Sequence, residues 1–135
     1  MHTFFANRVT GRAAAATAAL RVFSGIFFVF FGILKFTMHE FELSEFILYG
    51  FPDSSLIVYL VGLLEVVAGL MLIAGAGTRL AALGLAVVMA GAILTAGVRV
   101  GGWFHLGVAP TMLVAMLYLL WAGPGSRALD ARFAV

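Results

Sequence analysis

Three ionisable residues stand inside otherwise apolar stretches: Arg21 and Lys35 in one, Glu65 in the next. A carboxylate at bilayer depth costs on the order of 2.5–3.5 kcal/mol on insertion scales, so Glu65 calls for a cationic partner or a proton. Arg21 and Lys35 are 14 residues apart, which on a helix is within about 40° of one face and about 21 Å along the axis. Gly25, Phe28 and Gly32 fall between them in the same stripe, and Gly62 and Gly69 flank Glu65 at three and four residues. Small residues in such stripes let helix backbones approach closely. The charges therefore face protein rather than lipid. Depth counted inward from Ser55 for Glu65 (about 15 Å) and from Lys35 for Arg21 (about 21 Å) predicts an Arg21–Glu65 pair. Such a pair suffices to pin helix register, and it equally suits proton handling or the holding of a polar headgroup.

Other chemistry is sparse. His39 and His105 are isolated and read as interfacial side chains reaching water; a metal site needs three or four convergent ligands, and none is expected. There are no cysteines, which excludes disulfides, thiolate metal sites and a dithiol relay within the chain. No nucleophile–base pair, phosphate loop or haem-ligand pattern is visible, so no residue is assigned a catalytic role.

The elements that position these residues follow from composition. Of 135 residues, 64% are hydrophobic and 10% charged, against roughly 25% charged in a soluble domain. Lipid must be the solvent for most of this surface. The eight Lys and Arg residues form no basic face, so nucleic acid is not a partner. A spanning helix needs about 20 apolar residues, and four stretches qualify: about 13–36, 55–74, 79–97 and 106–122. Turn signals separate them at Gly50-Phe51-Pro52-Asp53, Gly75-Ala76-Gly77 and Gly101-Gly102-Trp103, and Gly123-Pro124-Gly125 ends the last. The first stretch lacks a small-residue cleavage site after its apolar run and is expected to remain a span. Met residues are scattered, as gap-fillers are, and Trp103 and Trp121 read as anchors at opposite interfaces.

Arg8, Arg12, Arg79, Arg127 and Arg132 lie on one side; Lys35, Arg99 and an acidic cluster of Glu40, Glu42, Glu45 and Asp53 lie on the other. The basic side is expected to be cytoplasmic, with both termini in. The 18-residue connection from Thr37 to Ser54 alternates aromatics with carboxylates, which suits a short interfacial helix. Glu40, Glu42 and Glu45 are candidates for docking a partner there. The fold class is thus an all-α integral membrane four-helix bundle forming one domain over residues 1–135, with its polar interior between spans one and two.

Beyond these residue-level readings, the sequence resembles the DoxX family. The likeness is carried by Arg21, by Gly32-Ile33-Leu34-Lys35-Phe36, by Gly50-Phe51-Pro52 and by Gly62-Leu63-Leu64-Glu65 with Gly69. It continues through Leu72-Ile73-Ala74-Gly75, Thr78-Arg79-Leu80-Ala81-Ala82, Met89, and Gly123-Pro124-Gly125 with Asp130. The resemblance implies a multi-pass protein of the bacterial cytoplasmic membrane. It also implies an accessory place in a quinone-linked oxidoreductase system, with quinone as the cofactor and a membrane redox protein or a second copy of the chain as partner. Arg21, Lys35 and Glu65 are then the candidate functional residues. The alternatives are a small-molecule or proton pathway using Glu65, and an assembly module for another membrane protein.

Overall fold

The computed structural model describes residues 2–134. A short helix α1 (His2–Phe5) precedes α2 (Gly11–Thr37), α3 (His39–Leu48) and α4 (Ser55–Ala74). Then come α5 (Thr78–Gly97), whose last turn, Ile93–Gly97, is π-helical, and α6 (Phe104–Ala122), whose first turn, Phe104–Val108, is π-helical. A 3-10 turn, Leu129–Phe133, follows. Four helices, α2, α4, α5 and α6, are long and apolar enough to cross a membrane. Their bounds agree with the four expected stretches to within two residues at each end, and α3 is the expected interfacial segment.

Each element begins and ends for a local reason. α4 stops at Gly75, whose φ of 69° lies in the left-handed region that a side chain resists. Gly77, at φ 61°, then restarts the chain as α5, so residues 75–77 reverse direction in three residues. α6 stops where Gly123 (φ 91°) leads into Pro124.

The two glycine stripes lock α2 to α4. A Cβ on Gly25 would stand 2.6 Å from the Gly69 carbonyl oxygen, and one on Gly32 would stand 2.9 Å from the Gly62 carbonyl oxygen. The backbones are as close as the absence of side chains permits. As expected, Arg21, Gly25, Phe28, Gly32 and Lys35 are all on the buried face of α2. Gly25→Ala is therefore expected to lose about 1–3 kcal/mol by overpacking, more than the roughly 0.8–1 kcal/mol that Ala gains over Gly in helix propensity. Gly84→Ala, whose nearest new contact is an ordinary 3.4 Å, should not lose stability. Thermal melting of the two variants in detergent checks the contrast.

On the far side, Ala81, Ala82, Leu85, Ala86 and Met89 of α5 meet Ala109, Met112, Met116 and Leu119 of α6, and Phe28, Ala68 and Leu72 complete this core. The outward face is apolar instead: Phe23, Phe30, Leu60, Leu94 and Val114 are all more than half exposed. A patch this extensive is untenable in water and fits a bilayer. The chain is an integral membrane protein.

Candidate functional site

At the end of the bundle capped by α3, the four long helices enclose a cavity of about 480 Å³. Its walls are mostly aromatic and aliphatic, including Phe27, Phe31, Phe41, Phe46, Val61 and Phe104. A small polar set converges on it: Lys35, Glu42, Glu45, Tyr49, Glu65, Thr95 and His105. Lys35 is the centre of that set. Its Nζ lies 3.0 Å from Glu65 Oε1 and 3.8 Å from Glu42 Oε2, and it stands 5.9 Å from the Phe46 ring centroid. Lys35 and Glu65 are only 7% and 3% exposed. At that depth an ion pair persists only because each charge has a partner.

The cap is what aims the acidic residues. α3 turns back over the bundle and sets Glu42 and Glu45 on its cavity side, whereas Glu40 is exposed. The three carboxylates expected to share a docking face are thus divided, two inward and one outward. Tyr49 Oη donates to Glu45 Oε2 at 3.3 Å. Burial, and after it the Glu45 carboxylate, pushes the Tyr49 phenol above its ordinary pKa, so it remains a proton-bearing donor at neutral pH. His105 meets Tyr49 edge to face, with ring centroids 5.0 Å apart. It was expected to reach water; the structure instead builds it into the cavity wall. His39 stays at the rim, stacked on Tyr59 and bonded through Nε2 to Ser55 Oγ at 2.9 Å.

Both π-helical turns border the cavity, contributing Thr95 from one and Phe104 and His105 from the other. A π-turn spends one extra residue per turn and re-aims side chains, and such turns concentrate at functional sites.

The expected Arg21–Glu65 pair does not form; Lys35 takes that place. Ser55 is level with His39, to which it is bonded, and not with Lys35. Lys35 is thus already one turn down the bundle: a Cβ on Gly62 would touch its Cβ at 2.8 Å. Glu65, three residues further along α4, is within reach of its ammonium. Arg21 is correspondingly level with the last turn of α4, about 10 Å further along the axis. There its guanidinium donates to the carbonyls of Leu72 (2.7 Å), Ile73 (3.0 Å), Pro124 (2.8 Å) and Ser126 (3.1 Å). Helix C-termini leave carbonyls unpaired, and Arg21 supplies the donors. It is a structural tie, remote from the cavity.

The comparisons with known proteins agree with this architecture. The family model described as DoxX matches residues 16–98. This chain belongs to the DoxX family. The uncharacterized membrane protein Rv3486 of Mycobacterium tuberculosis (strain ATCC 25618 / H37Rv) is 34% identical, over 84% of this chain and 78% of its own length. "Putative oxidoreductase CatD" of Bacillus subtilis (strain 168) is 28% identical, over 84% of each chain. No solved structure matches the chain at the same stringency. The DoxX match contains Lys35, Glu42, Glu45, Tyr49, Glu65 and Thr95, whereas Phe104 and His105 lie beyond it.

Two further polar residues of this DoxX protein carry more than the sequence suggests. Arg79, expected as a topological charge in a turn, is buried and donates to the carbonyls of Leu120, Trp121, Thr3, Phe4 and Ala6. Asp130 reaches back to the start of α5, accepting from the Gly77 and Thr78 amides at 2.6 and 2.9 Å. It is an N-cap supplied from more than fifty residues away. With Arg21, these residues close the end of the bundle opposite the cavity.

Proposed function

We propose that this DoxX protein is an accessory subunit of a quinone-linked oxidoreductase system in the bacterial cytoplasmic membrane, where it holds a quinone in the α3-capped cavity. Both termini face the cytoplasm in this reading, as the Arg bias indicates. The observation that carries it is the Lys35–Glu65 pair set, with a few further polar groups, into a mostly aromatic and aliphatic cavity of a size that suits a small molecule. The donor set fits a planar ring with opposed oxygens. Lys35 Nζ donates to a carbonyl oxygen, the Glu65 and Glu42 carboxylates accept from hydroxyls, and Phe27, Phe31 and Phe46 pack the ring faces. A bound quinone would supply two-electron, two-proton redox chemistry. The chain's part is to orient the ring, exclude water and present the Glu65 and Glu42 carboxylates as acceptors beside Lys35. The oxidoreductase name of the Bacillus subtilis relative supports a redox setting.

The same residues favour binding over a proton or solute pathway. Beyond Glu65 the next layer of the described core is filled by Phe28, Leu72, Leu85 and Met116, all fully buried, and the buried polar side chains Ser24, Arg21 and Thr17 come only after Phe28 along α2. That apolar layer stands between Glu65 and the polar groups of the opposite end.

Purification in mild detergent followed by organic extraction tests the reading. The unaltered protein is expected to retain a quinone, and Lys35→Gln to retain at least about tenfold less, the equivalent of one lost charge-assisted hydrogen bond. Quinone-free preparations, with no redox protein recovered in pull-downs, would sink it.

A further inference from the structure

The cavity has a side as well as a floor, and its position says what kind of ligand can use it. Part-way along their lengths α4 and α5 approach: a Cβ on Gly84 would be 3.4 Å from Leu64 Cδ1. That antiparallel register brings Val61 level with Val87, one turn further from the turn that joins them. At this level Val61 and Glu65 from α4 and Val87 and Gly91 from α5 line the same cavity. Val87 nevertheless is 65% exposed on the outer surface, and nothing lies within 4 Å of where a Gly91 Cβ would stand. A residue that lines a cavity while facing outward marks its mouth. Val87 is the tenth residue of a 20-residue spanning helix, so this mouth opens near mid-depth, in hydrocarbon rather than in water.

We infer that the cavity opens sideways into the bilayer between α4 and α5, and that this gap holds the apolar tail of a lipid-soluble ligand whose ring lies against Lys35 and Glu65. The inference rests on the headgroup reading above and adds the ligand's class: a ring bearing a long alkyl or isoprenoid chain. The lips are apolar, and Gly91 adds no side chain to fill the space between them. A chain of methylenes or prenyl units fits there without leaving any polar atom unpaired, and a water-soluble ligand has no reason to approach by that route.

Two tritiated probes test this on the full chain in detergent: a benzoquinone with a ten-carbon tail, and the same ring without the tail. Gly91→Phe and Val87→Phe should weaken the tailed probe by at least about tenfold and the tailless probe by less than about twofold. Both substitutions point into open space or lipid, and Leu70→Phe, on an exposed face of α4, controls for added bulk by leaving both affinities unchanged. Undiminished binding of the tailed probe to Gly91→Phe and Val87→Phe would overturn the side opening, as would equal losses for the two probes. Equal affinity of the unaltered protein for both probes would also overturn it, while leaving the headgroup reading intact. Binding of neither probe would remove the headgroup reading and the side opening with it.

Discussion

Arg21→Met is expected to lose at least about 4 kcal/mol, enough to prevent most of the protein from accumulating in the membrane. Each buried acceptor stripped of its donor costs about 1–3 kcal/mol, and Arg21 serves four carbonyls from a position only 1% exposed. Met fills much of the volume, so the loss isolates the hydrogen bonds. Arg21→Lys should fall between the two. It keeps the charge, but its compact ammonium cannot reach acceptors on both α4 and the segment after α6 as the planar fork does. Thermal unfolding and membrane yield of the three proteins read the order. The Arg21→Lys protein that does fold should bind ring probes normally, since Arg21 does not line the cavity. An unchanged melting temperature in Arg21→Met would contradict the structural assignment.

Lys35→Met is expected to cost about 3–5 kcal/mol, the usual loss when one member of a buried pair is removed, and Glu65→Met less. The asymmetry follows from Glu42. Without Glu65, Lys35 keeps a carboxylate 3.8 Å away; without Lys35, the Glu65 carboxylate has no cation beside it among the described residues. The double variant Lys35→Met/Glu65→Met should recover most of the stability, because replacing a buried pair by apolar side chains is close to neutral. At roughly 2–4 °C per kcal/mol, the worst single variant melts about 10 °C low, and the double one close to the unaltered protein. The double variant should nevertheless retain no quinone. A stable protein without ligand separates the pair's role in binding from its role in packing, and a double variant as unstable as Lys35→Met would show that the pair is chiefly a staple.

The spans were legible because twenty apolar residues in a row have few other uses, and the buried stripe of α2 because Arg21, Gly25, Phe28, Gly32 and Lys35 share one helical face. Which charge meets Glu65 was not legible. It depends on the level at which α4 starts, and that level is set by α3 folding back so that His39, not Lys35, stands beside Ser55. A displacement of one turn exchanged Lys35 for Arg21. The inward turn of Glu42, Glu45 and His105 was hidden for a related reason: a loop's composition does not say which of its faces looks at the bundle. The π-turns insert a single residue into a helical pattern and leave no periodic trace. Asp130 and Arg79 act on backbone groups dozens of residues away, where spacing carries no information.

The tie made by Asp130 has a consequence for biosynthesis. The amides it caps start the third spanning helix, yet Asp130 follows the fourth, and Arg21 likewise waits for the carbonyls of Pro124 and Ser126. During synthesis the first three spans enter the membrane with that end of the bundle unlatched. The latch engages only after α6 is in place, so that end of the bundle is completed by tertiary contacts to the last residues synthesised. A fusion or cleavage that disturbs residues 124–130 should therefore produce chains that insert but do not compact.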